Sequence, residues 1–416
     1  MAAAPENPLI LSFEEARHLV EEHATGLCTV NKSRPTETVD LLLASRRVLA
    51  EPISADRDFP PFPRSTRDGY AVRSADLEPL PRTLEVIGEI KAGAAPDQLP
   101  AQLQAGQAAA IMTGAPAPLG ADAIVMVEYT SRQGNRVEIT KAVASGDNIV
   151  PTGAEARRQD LLIEAGTLLD EASIAVAASV GRSELRVYSR PRVAVLSTGD
   201  EVVGINTQPG PNQIRNSNSY SLAAQILNAG AEPALLPVAP DESRRLKESI
   251  EEGLKSDLLL LTGGVSMGKY DLVEQVLVEL KAEFFFTGAQ IQPGRPVVFG
   301  RVKDSKYFFG LPGNPVSTMV TFELFARPLL EALAGMTPRH LVFLHARLKS
   351  EIKTKTGLKR FLPALLSGEF ERSEVELARW QGSGDIAATA RANCYIVIPP
   401  DRERIAAGEW VPVLLR

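Results

Sequence analysis

The stretch Leu258-Leu259-Leu260-Leu261-Thr262-Gly263-Gly264-Val265-Ser266-Met267-Gly268 decides the fold. Four leucines are too few for a helix of their own and end abruptly in glycines and hydroxyls, which reads as a short buried strand running into a shaped loop. The same rhythm extends on both sides. Short apolar strands at 192–196, 233–238, 257–261, 283–288 and 307–310 alternate with amphipathic helices near 218–229, 243–254, 271–281 and 315–334. Such βαβ alternation predicts a largely parallel, doubly wound sheet with helices on both faces.

Outside this segment the pattern changes. Ser12-Phe13-Glu14-Glu15 is a capping box, and Phe13, Ala16, Leu19 and Val20 recur at helical spacing, so a helix follows. A second helix is expected from Val39 to Leu49, ahead of the proline-rich turn Asp58-Phe59-Pro60-Pro61-Phe62-Pro63. Segments at 84–90, 108–112, 123–128 and 136–139 alternate between Gly, Pro and Asp clusters and predict a small β-rich domain. Ser173 to Val180 reads as a helix. Period-2 stretches at 341–348, 394–398 and 410–415 predict a C-terminal β domain. The resulting division is a helical linker and dimer domain at 1–50 and 142–185, a β-rich domain at 51–141, an α/β domain at 186–336 and the β domain at 337–416.

Composition narrows the function. The chain has 416 residues, 44% hydrophobic and 23% charged, which is ordinary for a multidomain soluble protein. A net charge of −6 without a basic stripe argues against nucleic acid as a partner. Met1 to Ile10 carries neither a basic nor an apolar leader pattern, and no apolar run spans a bilayer, so a cytoplasmic location without membrane contact is expected. Cys28 and Cys394 lack metal or disulfide spacing and are expected to be buried, inert thiols. His18, His23, His340 and His345 all lie away from the loops described next, so any metal must rely on oxygen ligands.

In an open parallel sheet, ligands bind beyond the carboxyl ends of the strands. Three loops there carry chemistry. Ser197-Thr198-Gly199-Asp200-Glu201 follows the first strand, the glycine-rich loop 262–268 follows the third, and Gly310-Leu311-Pro312-Gly313-Asn314-Pro315 leads into the last helix with Asn314 at its N-cap. Glycines let backbone N–H groups converge on an anion ahead of a helix. One Gly-Pro turn needs no ligand to explain it; two such loops on one sheet edge point to phosphate. Asp200, Glu201, Asp241 and Asp271 share that edge and suit Mg²⁺ in company with phosphate oxygens, although Asp241 and Asp271 taken singly read equally well as N-terminal helix caps or as compensation of a helix dipole. Ser65-Thr66-Arg67-Asp68-Gly69-Tyr70-Ala71 and Thr113-Gly114-Ala115-Pro116 read as turns in the β-rich domain. No Walker loop, GxSxG, HExxH or dinucleotide GxGxxG is present.

Taken together, FPPFPRSTRDGYAV (59–72), IMTGAPAPLGADAIVMVE (111–128), VAVLSTGDEVV (193–203), IRNSNS (214–219), LLLLTGGVSMGKYDLV (258–273), IQPGRPV (291–297), FFGLPGNPVS (308–317) and GSGDIAATARAN (382–393) resemble the molybdopterin molybdenumtransferase family, of the bacterial MoeA and gephyrin E-domain type. The resemblance implies a four-domain, elongated homodimer with a barrel-like last domain and a cleft built from the third domain of one subunit and the second of the other. It implies adenylylated molybdopterin and molybdate as substrates, molybdenum cofactor and AMP as products, and dealings with other cofactor-assembly proteins and apo-molybdoenzymes. The family's acids carry over to Asp68, Glu201, Asp241 and Asp271, with Glu201 and Asp271 as Mg²⁺ ligands. Substrate contacts carry over to Thr113, Thr198, Gly199, Gly263, Gly264, Ser266, Gly268, Pro312, Gly313, Asn314 and Ser383.

This chain departs from the family pattern in three places. Gln292 and Arg295 stand where relatives commonly have lysines, Ala154-Glu155 keeps one acid of a pair, and Pro363 replaces an arginine, leaving Arg360 as a substitute for binding an oxyanion. Two other readings compete: a non-catalytic scaffold, against which all four acids are retained, and the adenylyltransferase acting one step earlier, which needs nothing like residues 1–180.

Overall fold

The computed structural model describes residues 9–30, 34–95, 97, 99–100, 102–264, 272–302, 306–336 and 340–416, without the side chains of 28–30. The chain divides into two compact units, one of residues 1–50, 166–170 and 184–416 and the other of 51–165 and 171–183.

In the larger unit, helix α1 (Phe13–Val30) begins at the expected capping box: Ser12 N–H donates to Glu15 Oε2 at 2.9 Å, and Glu15 N–H donates to Ser12 Oγ at 3.2 Å. Its apolar stripe of Phe13, Ala16, Val20 and Ala24 is buried. The helix expected over 39–49 does not form. Thr36–Asp40 is instead a strand, paired antiparallel with Glu184–Tyr188, and only Leu42–Ala44 makes a 3-10 turn. Tertiary pairing overrides the local propensity of the leucines here, and it buries Leu185 and Val187.

The smaller unit is built on a six-stranded sheet of β1 (Gly69–Val72), β2 (Arg82–Ile90), β3 (Gln107–Ile111), β4 (Ala123–Met126), β5 (Thr130–Gln133) and β6 (Arg136–Ile139), in the order β4-β1-β3-β2-β6-β5. Gly69 is not a turn residue as its Asp-Gly context suggests. It opens β1, and a Cβ there would lie 1.9 Å from the Val125 carbonyl oxygen, so glycine is required by the close approach of β4. The residues between 142 and 165 contribute the short strands Ile149–Val150 and Leu161–Ile163, and the helix expected near 173–180 spans Glu171–Ser179.

The α/β part contains β7 (Arg192–Ser197), β8 (Val202–Val203), β9 (Ile214–Arg215), α2 (Asn218–Asn228), β10 (Glu232–Leu235), α3 (Ser243–Gly253), β11 (Leu258–Thr262), α4 (Leu272–Glu279), β12 (Glu283–Phe286), β13 (Val298–Val302), β14 (Lys306–Leu311), α5 (Pro315–Thr321) and α6 (Arg327–Leu333). Strand order in the main sheet is β10-β7-β11-β14-β13-β12. The first four are mutually parallel, while β13, which the sequence reading missed, runs antiparallel to β14 and β12. Alternation along each strand splits the core in two. Val193, Val195, Leu258, Leu260, Phe309 and Leu311 pack with α1, α2, α5 and α6, whereas Ala194, Leu196, Leu259, Leu261 and Phe308 pack with α3 and α4. This is the doubly wound arrangement predicted. A π-helical turn, Phe322–Ala326, joins α5 to α6.

The C-terminal part is a closed barrel. β15 (Phe343–Leu348), β19 (Trp410–Leu415), β18 (Cys394–Ile398), β16 (Lys359–Ser367) and β17 (Glu374–Leu377) pair in that cyclic order, with β17 returning parallel to β15. Closure leaves no open sheet edge. The sequence reading missed β16 and β17. Cys394 is buried inside, its thiol pushed up to about 11 by burial, which makes it the inert thiol expected. Among the described residues no helix is long and apolar enough to cross a membrane.

Candidate active site

The carboxyl ends of β7, β11 and β14 open into a cavity of about 430 Å³, in the size range of small-molecule clefts. Thr198, Glu201, Gly263, Gly264, Pro312, Gly313 and Asn314, all singled out from sequence, line it. Two left-handed residues in succession, Gly263 (φ +88°) and Gly264 (φ +62°), bring the loop down onto β7, where a Cβ on Gly263 would lie 2.5 Å from the Thr198 carbonyl oxygen. Only glycine fits both the conformation and the space. The Pro312-Gly313 turn abuts this loop: a Cβ on Gly313 would lie 3.5 Å from Gly263 Cα. Both glycine loops therefore meet on one sheet edge, as inferred.

Asn314 is the N-cap of α5 with Pro315 in its first turn, but the Asn314 side chain makes no capping bond. Pro315 has no N–H to offer, and the Val316 N–H donates to Ser383 O at 3.0 Å. Part of this helix terminus is thus spent within the protein, which weakens it as a second anion site. Ser383 acts here through its backbone carbonyl.

The acids Asp200, Glu201 and Asp241 meet at the ends of β7 and β10, joined by the Thr198–Ala239 bridge and by Asp241 N–H donating to Asp200 Oδ1 at 3.2 Å. Asp241 precedes Glu242, the N-cap of α3, so it is not the cap itself, although it stays beside the positive end of that helix. Loss of solvent and then the charges of Asp200 and Glu201 hold its carboxyl above the ordinary aspartate value. Glu201 folds over Gly199, whose φ is +130°. Ser266, Gly268 and Asp271 lie outside the described residues.

In the smaller unit Asp68 is exposed and accepts from Thr113 N–H at 2.6 Å and from Thr113 Oγ1 at 2.8 Å. The backbone bond first and the hydroxyl second lower its pKa, so this carboxylate stays ionised. Glu155, the single retained acid of its pair, is bound to Arg64 at 2.6 Å.

Gln292 and Arg295 are exposed on the segment that leads to Pro296 in the cavity wall. Arg295 forms no ion pair among the described residues. Arg360 is not a free substitute for the missing arginine, because its buried Nη1 donates to the carbonyls of Lys355 and Leu358.

Sequence reasoning missed the cavity residues Arg215, Asn216 and Asn218. Asn218 Nδ2 donates to Thr262 Oγ1 at 2.9 Å and to Gly313 O at 2.7 Å, tying α2 to both glycine loops. Asn216 closes a buried network with Ser197 and Ser219. The signal was present in Asn216-Ser217-Asn218-Ser219, an unusually polar start for a helix whose inner face is buried.

Three family models match the chain in order: the MoeA N-terminal region (domain I and II) over residues 11–181, the probable molybdopterin binding domain over 194–332 and the MoeA C-terminal region (domain IV) over 345–415. The chain is 36% identical over 397 residues to the molybdopterin molybdenumtransferase of Nostoc sp., covering 92% of this chain and 90% of that protein. It is 34% identical over 409 residues to that of Bacillus subtilis, covering 95% and 93%. Among solved structures, a molybdopterin biosynthesis MoeA protein from Pyrococcus horikoshii superposes with a TM-score of 0.70 at 33% identity, covering 98% of this chain and 99% of that one. A second from the same organism gives 0.76 at 28% identity, covering 98% and 100%. Matched from its N-terminal to its C-terminal region, the chain belongs to the molybdopterin molybdenumtransferase family.

Proposed function

We propose that this protein inserts molybdate into adenylylated molybdopterin, releasing AMP and molybdenum cofactor. The observation that carries this reading is a cavity lined by the left-handed glycines Gly263 and Gly264 and by Glu201, with Asp200 and Asp241 beside that acid at the same sheet edge.

Two thiolates can replace oxygens of molybdate only if those oxygens leave as water, which requires protons. Asp241, whose carboxyl keeps its proton to higher pH than an ordinary aspartate, is the donor in this scheme. Asp68, held ionised by Thr113, is a fixed anion that orients water or substrate. The left-handed glycines expose backbone N–H groups to phosphate oxygens. Arg295, exposed and unpaired among the described residues, attracts molybdate.

The donor set also fits Mg²⁺. Its atoms are hard carboxylate oxygens crowded by like charge, yet among the described residues no group of three or more His, Cys, Asp or Glu is placed to hold a metal ion. A hydrated ion that uses one or two carboxylates suits this better than a caged one. Glu201 and Asp271 would hold it, and its charge would offset that of the phosphate oxygens.

The working unit in this reading is a cytoplasmic homodimer in which the β-rich domain of one protomer serves the α/β domain of its partner. It hands the cofactor on to apo-molybdoenzymes. Purified protein incubated with molybdate, Mg²⁺ and adenylylated molybdopterin should release AMP in step with cofactor formation. Absence of AMP release with intact substrate would reject the assignment.

A further inference from the structure

Arg215 is the one cationic side chain among the described residues that line the cavity. It ends β9, which pairs with β8 through Val203 and Arg215, and Ile214 N–H donates to Glu201 O at 2.8 Å. The backbone that carries it is anchored. Its neighbour Asn216 is buried, accepts from Ser197 Oγ at 3.1 Å and from Ser219 N–H at 3.1 Å, and donates to Ser219 Oγ at 2.9 Å.

The side chain, by contrast, is lightly held. It is exposed, its Nη2 donates only to Gln208 Oε1 at 3.3 Å, and no carboxylate pairs with it among the described residues. The other charged residue of the cavity lining is Glu201, backed by Asp200 and Asp241. An anionic group is repelled by that corner and attracted by Arg215. The arginine fork matches two oxygens of a phosphoryl group, which a point charge does not.

We infer that Arg215 binds the phosphoryl group that leaves as AMP, and so selects the adenylylated form of the pterin. This rests on the proposed reaction. The competing sources of charge are molybdate, also an oxyanion, and a purely structural role in holding residue 208.

The experiment uses the full-length protein and three probes, AMP and molybdate by calorimetry and adenosine by ligand-detected NMR. The variants are Arg215→Ala, Arg215→Lys and Gln208→Ala. Loss of a charge-assisted bond predicts that Arg215→Ala weakens AMP about tenfold to a hundredfold, with Arg215→Lys intermediate. Adenosine and molybdate should bind all variants as they bind wild type, and Gln208→Ala should leave AMP unchanged.

The inference is overturned by unchanged AMP affinity in Arg215→Ala, by equal weakening of AMP and adenosine, by weakening of molybdate instead, or by Gln208→Ala reproducing the loss. A wild type that neither binds AMP nor releases it from adenylylated molybdopterin overturns the reaction itself. That failure is distinct from an Arg215→Ala variant that matches a binding-competent wild type.

Discussion

Replacing Gly263 by alanine tests whether the glycine loop is built for its conformation and its space together. At φ +88° an L-residue is disfavoured by roughly 1–2 kcal/mol. The added Cβ would also stand 2.5 Å from the Thr198 carbonyl oxygen, short of ordinary contact by about 0.9 Å, and 3.2 Å from Thr198 Oγ1. Both belong to Thr198, the residue that follows β7, and the carbonyl is backbone that no rotamer change can move. Relief requires β7 and the loop after β11 to part, which strains the Thr198 N–H to Thr262 O bond of 3.0 Å. Overpacking of this kind adds about 1–3 kcal/mol, for a total of roughly 2–5 kcal/mol.

Gly408→Ala is the control. It has a similar φ of +84° with nothing within 4 Å of the Cβ position, so it carries the conformational cost alone. At about 2–4 °C per kcal/mol for a large domain, Gly263→Ala should melt roughly 4–20 °C below wild type and clearly below Gly408→Ala. Its affinity for AMP should fall as well, because the same loop lines the cavity. Thermal unfolding followed by circular dichroism, with AMP titration at 25 °C, measures both. Equal melting shifts in the two variants, with AMP binding intact in Gly263→Ala, would refute the reasoning.

Arg295→Ala should raise the molybdate requirement about tenfold to a hundredfold while leaving adenylylated-pterin binding nearly unchanged, and Arg295→Lys should be milder. Separate titrations decide it, since equal weakening of both ligands would exclude the molybdate role. Asp241→Asn should abolish turnover yet stabilise the fold near neutral pH. A carboxyl whose folded pKa is raised binds more protons in the folded than in the unfolded state, so stability falls as pH rises from the ordinary aspartate value through the folded one. The stability gain should therefore vanish below the ordinary aspartate pKa, and melting curves across acidic pH that show a pH-independent gain would contradict this. The protein should scatter light as a dimer at micromolar concentration, and mixing inactive Asp68→Ala with inactive Asp271→Ala should recover activity through hybrid dimers. No recovery after verified subunit exchange would point to sites within single subunits.

The sequence by itself determined the doubly wound domain, because the periods of its apolar residues, two along strands and 3.6 along helices, are local properties of the chain. It also determined the glycine loops, since left-handed turns and close approaches leave few other residues possible at Gly263 and Gly264. Tertiary structure alone decided where local signals were ambiguous or bonded at a distance. Leucines near position 42 favour a helix until Glu184–Tyr188 arrives, more than a hundred residues later in the chain, to pair with Thr36–Asp40. Gly69 reads as a turn until β4 is laid beside it. The protonation of the acids belongs to the same class. Asp68 and Asp241 are identical as letters, yet hydrogen bonds from Thr113 lower the pKa of the one while loss of solvent, then the charges of Asp200 and Glu201, raise that of the other, because burial, charge and hydrogen bonding act through space rather than along the chain.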